Sequence, residues 1–598
     1  MLNPNARPPR GMPVAKERAR HTTATLKRIW DYLSRSRYGL VAVVLLAIAG
    51  TGAGLAAPYL LGTAIDRFIL ERDREGLLRL CMILASIYVF NGVAGWLQAH
   101  LMAGISQRTV RSLRDDLFAR LQKLPVRFFD RTPLGDLMSR ATNDIENVST
   151  TLNQSFIQIM TSMVTLVGSL ILMLTLNVWL TLVSIVTIPL VTLATKAISA
   201  RTRRHFADQQ RSLGELNGFI QETLAGQKAI KVLRRERPSI ERFGAMNREL
   251  RAAGTKAQTL SGLFGPVMNV FGHLNFILIA AIGGWMAFRE WTTVGMIVSF
   301  LNYSKQFSGP INELANQYNM IQAGVAGAER VFEIADTATE HEDEAAVGGL
   351  DRVKGRVAFE GVSFGYRPDK QTLRDVTFTA EPGQLIALVG PTGAGKTTII
   401  NLLTRFYELD EGRITIDGKD IRAIDKNELR SRLGIVLQDA YTFSDTVREN
   451  IRYGRLDATD EEVVAAAKLA NADGFIRRLP HGYDSPLAAE GGNLSQGQRQ
   501  LLTIARAILA DPAILILDEA TSSVDTRTEL HIQQAMAALM RGRTSFVIAH
   551  RLNTIKSADL ILVIDGGRII ERGTHDELLG RQGFYARLYN SQFAQPAG

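Results

Sequence analysis

A glycine-rich segment in the second half of the chain has the residue types and spacing of a phosphate-binding loop. It follows an apolar, strand-like run at 385–389 and leads into an apolar helix start at 398–403. Glycines let the backbone curl so that its N–H groups point at phosphate oxygens, a lysine adds positive charge near the β- and γ-phosphates, and a hydroxyl can bind Mg²⁺. The segment therefore predicts binding of ATP and Mg²⁺ by Gly390, Pro391, Thr392, Gly393, Ala394, Gly395, Lys396, Thr397 and Thr398.

A second anion-binding segment follows about a hundred residues later, at 493–498. It contains Ser495, Gln496, Gly497 and Gln498, and it precedes a helix whose apolar residues recur at helical spacing. A hydroxyl and the N–H groups of a first helical turn attract anions. A second grip on the phosphates is redundant within one monomer, so this segment is predicted to hold the γ-phosphate of an ATP bound to another subunit.

The two segments together resemble the ATP-binding cassette (ABC) family, and the resemblance covers roughly residues 353–598. It implies an α/β P-loop ATPase fold for this part of the chain. An apolar strand at 513–517 ends in Asp518 and Glu519, where the family has two acids. By this resemblance Asp518 holds Mg²⁺ through water, and Glu519 orients or deprotonates the attacking water.

Four further positions match motifs of the family. Tyr366 resembles the aromatic residue that stacks on adenine, although a tyrosine at a strand end can also be purely structural. Gln438 resembles the glutamine that senses Mg²⁺ and contacts the membrane domain, Asp525 ends a segment that resembles the loop crossing the dimer interface, and His550 resembles the histidine that contacts the γ-phosphate. The implied catalytic residues are Glu519, His550, Lys396 and Gln438, and the implied metal ligands are Thr397, Gln438 and Asp518.

The second segment departs from the family's commonest form, Leu-Ser-Gly-Gly-Gln, because Gln496 stands where the first Gly is usual. Gln keeps the backbone N–H donor and adds an amide side chain near the phosphate, provided that its backbone dihedrals are tolerated. Such signatures resemble those of subunits that pair with a different half. Both a heterodimer and a homodimer with two equivalent sites therefore remain open.

The charge of the chain is unevenly distributed. Residues 1–330 contain 38 basic and 21 acidic residues, a net charge of +17, whereas the remainder contains 31 and 38, a net charge of −7. A basic half can indicate nucleic acid or a membrane surface, and long apolar runs in this half favour the membrane. The single cysteine, Cys81, lies within one of these runs, so neither a disulfide framework nor a cysteine metal cluster is expected.

Six apolar segments are long enough to cross a bilayer as helices. They are predicted at 38–65, 77–104, 153–176, 178–199, 259–287 and 293–316. The last is the least apolar, because Asn302, Lys305, Asn312 and Glu313 interrupt it, and the alternative for it is an amphipathic cytosolic helix. The expected fold class is therefore an α-helical transmembrane bundle of six helices with long cytosolic extensions, fused to an α/β P-loop ATPase domain of ABC type.

The connections between these spans alternate in length and charge. The segments 105–152 and 200–256 carry eight and thirteen Arg or Lys residues, whereas the turn at Asn177 carries none. Basic loops favour the cytosol, so both long segments and both termini are predicted to be cytosolic. The arrangement resembles the exporter branch of the ABC family, which implies that coupling helices near Arg131–Met138 and Phe219–Gly226 rest on the nucleotide-binding domain.

The composition suggests four regions along the chain. They are a disordered basic tail at 1–28, a transmembrane domain at 29–326, an acidic linker at 327–352 and the ATPase domain at 353–598. An interfacial helix is expected from Thr22 to Arg37, with Trp30 and Tyr32 at the membrane surface. No cleavable signal peptide is apparent in the first residues. The expected location is the inner or plasma membrane of a bacterium.

The order of a membrane half followed by an ATPase predicts an ATP-driven exporter half-transporter that works as a dimer by alternating access. A soluble ABC protein acting on ribosomes or DNA lacks such spans, so no nucleic-acid partner is expected. The substrate is predicted to be lipophilic or amphipathic: a drug, a lipid or a peptide. A lipid flippase of the same architecture, or a nucleotide-gated channel or receptor, are the alternatives. Polar candidates for the cavity are His273, Asn275, Asn302 and Lys305, which could equally form interhelical hydrogen bonds.

Overall fold

The computed structural model describes residues 22–340, 353–367, 369–437, 440–488, 492–518, 525–549 and 552–592. Its contacts divide the chain into two units. The first comprises the described residues up to Gln122 together with Leu134–Thr337, and the second comprises Lys123–Pro133 together with the described residues from Ala338 onward.

The described residues from 22 to 336 are almost entirely helical. The helices are α1 (Thr22–Ser34), α2 (Arg37–Thr63), α3 (Arg74–Leu121), α4 (Val126–Arg131), α5 (Leu134–Ser139), α6 (Ile145–Thr150), α7 (Phe156–Leu176), α8 (Val178–Ala225), α9 (Gln227–Val232), α10 (Glu236–Gly262), α11 (Phe264–Phe288) and α12 (Val294–Asp336). Three π-helical segments, Ala64–Ile69, Arg140–Asp144 and Thr151–Ser155, continue these helices. Because α4 lies within Lys123–Pro133, it is the one of these helices that belongs to the second unit.

Five helical stretches of the described residues can cross a membrane by their length and composition. They are Arg37–Ile69, Arg74–Leu121, Leu134–Leu176, Val178–Ala225 and Glu236–Phe288. They contain the first five predicted spans, and the chain is accordingly a multi-pass membrane protein. The predicted sixth span lies within α12, a continuous helix of 43 residues that is not among these five stretches. Its crossing of the membrane stays a prediction.

The first unit packs around α2 and α12, which contact each other and also α3 and α7, whereas α8 packs on α10 and α11. One core cluster lies between the spans and includes Leu55, Met173, Ile279 and Phe300. At the N-terminal end, α1 buries its apolar side and its Tyr32 hydroxyl donates a hydrogen bond to Asp116 at 2.8 Å. Burial, together with this carboxylate, raises the pKa of Tyr32 to about 12.

The end of α2 and the start of α12 approach each other closely. A Cβ atom added to Gly62 would lie 2.4 Å from the carbonyl oxygen of Gly295, which only a glycine allows. The Asp66 carboxylate accepts hydrogen bonds from the Thr293 hydroxyl at 2.5 Å and from the Gly295 N–H at 2.8 Å. Ser299 donates to the carbonyl oxygen of Pro58 one turn away, at 2.8 Å. This α2–α12 junction therefore joins the first predicted span to the sixth.

Three expectations about segment limits need correction. Residues 22–28, predicted to be part of a disordered tail, form the start of α1, and residues 1–21 lie outside the described part of the chain. The predicted linker begins at 327, but α12 continues to Asp336, because Val325, Ala328 and Phe332 keep an apolar side buried. The short helix that groups with the second unit is α4 at Val126–Arg131, which precedes most of the predicted coupling segment at 131–138.

The second unit alternates strands with helices. The strands are β1 (Val357–Phe364), β2 (Leu373–Ala380), β3 (Leu385–Val389), β4 (Glu411–Ile416), β5 (Lys419–Asp420), β6 (Leu433–Val436), β7 (Ile514–Asp518), β8 (Thr544–Ile548), β9 (Leu560–Asp565) and β10 (Arg568–Gly573). The helices are α13 (Lys396–Leu403), α14 (Lys426–Ser431), α15 (Val447–Arg452), α16 (Asp460–Leu469), α17 (Asp473–Ile476), α18 (Gln496–Ala510), α19 (Thr526–Met540), α20 (Leu552–Lys556), α21 (His575–Gly580) and α22 (Phe584–Gln592).

Two sheets form the frame of this unit. The larger has the strand order β10-β9-β3-β8-β7-β6, in which all neighbours are parallel except β9 and β10. The smaller is antiparallel, with the order β2-β1-β4-β5. Since β3, β8, β7 and β6 are adjacent and parallel, their carboxyl ends lie at one edge, where ligands bind in open α/β sheets. The expected fusion of a transmembrane helical bundle to an α/β domain is confirmed.

Candidate nucleotide site

The predicted phosphate-binding loop leaves the carboxyl end of β3 and becomes the first turn of α13. Gly395 has φ +109°, a backbone conformation that side chains rarely adopt, and a Cβ atom there would lie 2.6 Å from Leu373 Cδ2. A glycine is therefore needed at this position to turn the chain into the helix. The loop residues Thr392, Gly393 and Thr397 are exposed, whereas Ala394, Gly395, Lys396 and Thr398 are buried, and Gly390 and Pro391 are half-buried.

Lys396 turns back over its own loop. Its ammonium group donates hydrogen bonds to the carbonyl oxygens of Gly390 at 2.7 Å and Pro391 at 2.9 Å. Burial lowers the pKa of Lys396, and the nearby charge of Asp518 opposes that shift. The Lys396 ammonium group therefore lies at the opening of the loop. There a phosphate oxygen can replace the two carbonyl oxygens as its hydrogen-bond partner.

Two oxygen-bearing side chains lie where a Mg²⁺ ion could bind beside phosphates. Thr397 exposes its hydroxyl at the start of α13, and the half-buried Asp518 ends β7 close enough to influence Lys396. Mg²⁺ usually takes one or two protein oxygens together with phosphate oxygens and water, so this pair fits that ion. The described residues contain no group of three or more His, Cys, Asp or Glu side chains arranged around a metal.

Tyr366 is anchored to the helix that follows the phosphate-binding loop. Its hydroxyl accepts a hydrogen bond from Asn401 Nδ2 at 3.0 Å and donates to the Thr398 hydroxyl at 3.3 Å. The rings of Phe364 and Tyr407 meet it edge-on, each with 5.0 Å between centroids. These contacts fix the ring beside α13 and leave it half-buried, an arrangement suited to stacking on a base.

Tyr407 is a residue of this region that the sequence alone did not single out. Its hydroxyl donates a hydrogen bond to the carboxylate of Asp130, which lies in α4. Burial and then the Asp130 hydrogen bond raise the pKa of Tyr407 well above its usual value, so the hydroxyl remains a donor at neutral pH. Tyr407 therefore contacts both the ring of Tyr366 and the Lys123–Pro133 segment.

A second set of contacts fixes the same segment. The backbone N–H of Glu340 donates to the carbonyl oxygen of Lys123 at 2.8 Å. On the other side, Lys426 Nζ donates to the carbonyl oxygen of Glu340 at 2.7 Å, and Arg430 Nη1 donates to its carboxylate at 3.0 Å. The beginning of α14 and the chain after α12 thus hold Lys123 in place within the second unit.

The predicted signature segment begins α18. Ser495 is the N-cap: its hydroxyl accepts from the Gln498 N–H at 3.2 Å, and the Gln498 side chain accepts from the Ser495 N–H at 3.0 Å. Gln496 occupies the first helical position, where any side chain is tolerated, so its departure from glycine causes no backbone strain. Gly497 is buried behind it. Among the described residues, no hydrogen bond or ion pair joins 495–498 to the phosphate-binding loop of the same chain.

Arg506, inside α18, positions this helix in the domain. Its Nε donates to the carbonyl oxygen of Asn450 at 2.9 Å, and its guanidinium lies over the rings of Phe443 and Tyr453 at 5.6 and 5.4 Å from their centroids. Burial lowers the pKa of Arg506. Asp525, predicted to end the loop that crosses the dimer interface, has a local partner: its carboxylate accepts from the Thr528 N–H at 3.0 Å, which caps α19 and lowers the pKa of Asp525.

Three predicted catalytic residues, Gln438, Glu519 and His550, lie outside the described residues. The described residues that precede them are Leu437, Asp518 and Ala549, which follow or end β6, β7 and β8. These strands are parallel neighbours, with Val436 paired to Leu517 and Asp518 paired to Ile548. These three strands therefore end at the sheet edge at which the phosphate-binding loop also begins.

Two family models match the chain. The model described as ABC transporter transmembrane region matches residues 40–311, and the model described as ABC transporter matches residues 373–522. The second match contains the phosphate-binding loop, Ser495 and Asp518. The two models stand in the order predicted from the sequence, with the membrane part first.

Similar proteins extend over nearly the whole chain. An ABC transporter ATP-binding protein of Bacillus subtilis strain 168, YfiC, named as uncharacterized, is 50% identical over 97% of this chain and 96% of its own. A protein of Mycobacterium bovis named fatty acid ABC transporter ATP-binding/permease protein is 40% identical over 98% of this chain and 99% of its own. A solved structure of a bacterial Atm1-family ABC exporter with ATP bound has a TM-score of 0.76 and 32% identity, covering 94% of this chain and 99% of that one. This chain belongs to the ABC transporter family and is an ATP-binding and ATP-hydrolysing exporter that carries a membrane half and an ATPase half on one polypeptide.

Proposed function

We propose that the chain is one half of a dimeric exporter that moves a lipophilic or amphipathic molecule out of the cytoplasm. The observation that carries the proposal is the start of α18, a capped helix N-terminus that no hydrogen bond or ion pair joins to the phosphate-binding loop of its own chain among the described residues. Such a terminus attracts anions, so its natural ligand is the γ-phosphate held by a second copy or a related half. The nucleotide-binding domain and both termini are cytoplasmic in this proposal, in agreement with the basic connections between spans.

The residues of the loop bind the triphosphate. Backbone N–H groups from Gly390 to Thr398 surround the β-phosphate, and Lys396 exchanges its carbonyl partners for phosphate oxygens. Tyr366 stacks on adenine from its fixed place beside α13. Thr397, Asp518 and Gln438 hold Mg²⁺, which when bound neutralises phosphate charge and aligns the γ-phosphate.

Hydrolysis depends on the three positions at the ends of β6, β7 and β8. Glu519 accepts a proton from the attacking water or orients it, while Lys396 and His550 stabilise the charge that develops on the γ-phosphate. Gln438 would sense Mg²⁺, as the family resemblance implies. Asp525 accepts a hydrogen bond from the Thr528 N–H and so caps α19. In this proposal the cap fixes the start of α19, and the loop before it contacts the second subunit of the dimer.

Closure of the two ATPase halves over shared nucleotides provides the driving force. Ser495, Gln496, Gly497 and Gln498 of one copy cover the ATP bound to the other, and hydrolysis removes the phosphate that joined them. The closed form must bind ATP far more tightly than the open form for this cycle to turn a cavity outward. The resemblance to a fatty acid transporter makes a lipid our first choice of substrate.

Transport by purified protein tests this proposal. The chain is reconstituted in sealed vesicles, and a fluorescent lysophosphatidylglycerol is added with or without ATP and Mg²⁺. Protection of the label from external dithionite should rise with ATP beyond its passive distribution, and Glu519→Gln should abolish the rise while retaining ATP binding. A label that only equalises across the membrane would instead indicate a gated pathway, and fast phosphate release by Glu519→Gln would refute the role of Glu519.

A further inference from the structure

A groove between α11 and α12 combines an apolar wall with several polar side chains. Its volume is 860 Å³, within the range of roughly 300–1,000 Å³ that is typical of ligand pockets. Met268, Phe276, Ile279, Val298 and Leu301 form the apolar wall. All of its lining residues lie in the first unit, within the predicted fifth and sixth spans.

The polar side of the groove carries positive charge. Lys305 and His273 line it and are exposed, and the two residues project from facing helices. On α12, Val298, Leu301, Asn302 and Lys305 follow one another at helical spacing, so they share one face. The lysine therefore belongs to the wall of the groove.

Lys305 has no acidic partner in this position. Within the part of the chain that the structure describes, no ion pair involves Lys305, and the next carboxylate along α12, Glu313, lies eight residues or roughly 12 Å away along the helix axis. A cation in a membrane-spanning helix is costly unless it is paired or faces a polar cavity. An anionic ligand in the groove would supply the missing charge.

A second polar group in the groove is incompletely paired. Asn275 donates a hydrogen bond from Nδ2 to the Ser304 hydroxyl at 2.6 Å, but its buried Oδ1 has no partner. Buried acceptors of this kind are normally satisfied by protein, ligand or ordered water. A polar ligand head, or the water that accompanies it, can supply the donor. Asn302, which also lines the neighbouring cavity on the other side of α12, extends the polar surface.

We propose that this groove binds the anionic head group of an amphipathic substrate, with Lys305 as its main counter-ion, His273 beside it and the hydrocarbon chain along the apolar wall. The inference rests on the proposed export function and adds the charge class and the binding residues of the substrate. Carboxylates and phosphates share the required chemistry: negatively charged oxygens on an apolar chain.

Binding of a fluorescent fatty acid to the full-length protein in phosphatidylcholine nanodiscs tests this site. The probe is 11-(dansylamino)undecanoic acid, and its uncharged methyl ester is the matched ligand. Lys305→Met should weaken binding of the acid about tenfold or more and leave binding of the ester unchanged, because a charge-assisted contact is lost. Lys305→Arg, which keeps the charge, should restore affinity for the acid to within about threefold.

Lys196→Met is the matched control, because Lys196 lies on α8 and does not line the groove. This variant should bind the acid as the wild type does. Competition distinguishes two sources of the anion: displacement by phosphatidylglycerol in the disc indicates a lipid head group, and displacement by palmitate alone indicates a free acid. Equal loss of acid and ester binding in Lys305→Met, or no loss at all, overturns the inference. ATP hydrolysis by the wild-type protein is measured in the same discs. If hydrolysis is intact, a negative binding result counts against this site and not against the proposed export function.

Discussion

Some residues predicted to bind the nucleotide also form hydrogen bonds within the ATPase half itself. Lys396 is tied to carbonyl oxygens of its own loop, and Tyr366 is tied through its hydroxyl to Thr398 and Asn401 on α13. A bound phosphate must therefore replace the carbonyl partners of Lys396. These contacts also keep the loop in its folded conformation before the nucleotide binds. Pre-organisation of this kind lowers the entropy that binding has to overcome.

Tyr366→Ala should weaken ATP binding with little change in turnover. Loss of base stacking costs about 1–3 kcal/mol, which corresponds to a rise in the KM for ATP of roughly 5- to 150-fold. Steady-state ATPase assays over a range of ATP concentrations measure this split between KM and kcat. Tyr366→Phe, which keeps the ring and removes the hydroxyl, should stay close to the wild type. A fall in kcat with an unchanged KM would assign Tyr366 a role other than adenine binding.

The local sequence was sufficient to predict residues whose neighbours along the chain define a motif. The phosphate-binding loop and the Ser495 helix start follow from short-range spacing, and the structure has a strand, a loop and a helix where these were expected. Tyr407 and Asp130 were not predicted, because they lie 277 positions apart and meet only through tertiary contact. The same holds for Asp144 and Arg330, a partly buried ion pair separated by 186 positions.

At the scale of elements, the short helix α4 is the informative piece. It is contributed by the membrane half of the sequence but packs within the second unit, where Tyr407 contacts Asp130. Tyr407 also touches Tyr366, so one side chain links the predicted adenine site to this helix. The geometry predicts that occupancy of the adenine site and the position of α4 influence each other.

Tyr407→Phe should reduce the stimulation of ATP hydrolysis by transported substrate while leaving the KM for ATP nearly unchanged. The substitution preserves the ring against Tyr366 and removes the hydroxyl that donates to Asp130. Asp130→Asn should have a similar effect, and the double variant should add little to either change, because both remove one interaction. ATPase activity with and without substrate is the measurement. Additive losses in the double variant would show that the two residues act separately.

Helix positions were predicted better than helix ends. Apolar runs in the sequence indicated each of the six long helices. A predominantly apolar stretch of about 20 residues is typical of a helix that crosses a membrane and of few other structures. The extent of α12 was underestimated, since an acidic linker was predicted to begin at 327, whereas burial of one apolar side carries the helix to Asp336. Periodicity over a longer window would have revealed this continuation.

At the scale of the whole molecule, the chain supplies two parts of a nucleotide site that no hydrogen bond or ion pair joins among its described residues. The phosphate-binding loop lies at the start of α13, and the signature segment lies at the start of α18. Under the proposed function, a complete site combines the loop of one chain with the signature of another. Whether the second chain is identical is a question that mixing variants can answer.

Mixing two inactive variants should restore activity if the chain pairs with itself. Lys396→Met removes the phosphate lysine, and Ser495→Asp keeps the helix cap but places negative charge where a phosphate is expected. A complex purified through two different tags contains one intact composite site and should hydrolyse ATP at about half the wild-type rate if the sites act independently. Ser495→Asn, which caps without charge, is the control. A doubly tagged complex with no activity would argue against sites shared between identical chains.

The close approach of Gly62 to Gly295 bears on how a lipid-like molecule could leave the protein. With a Cβ atom excluded at 2.4 Å and Asp66 hydrogen-bonded to the same helix ends, the α2–α12 junction leaves no room for an acyl chain between Gly62 and Gly295. If the proposed substrate is a lipid, we expect its sideways release into a leaflet to avoid this junction. Because the contacts join their ends, we also expect the first and sixth predicted spans to move together during transport.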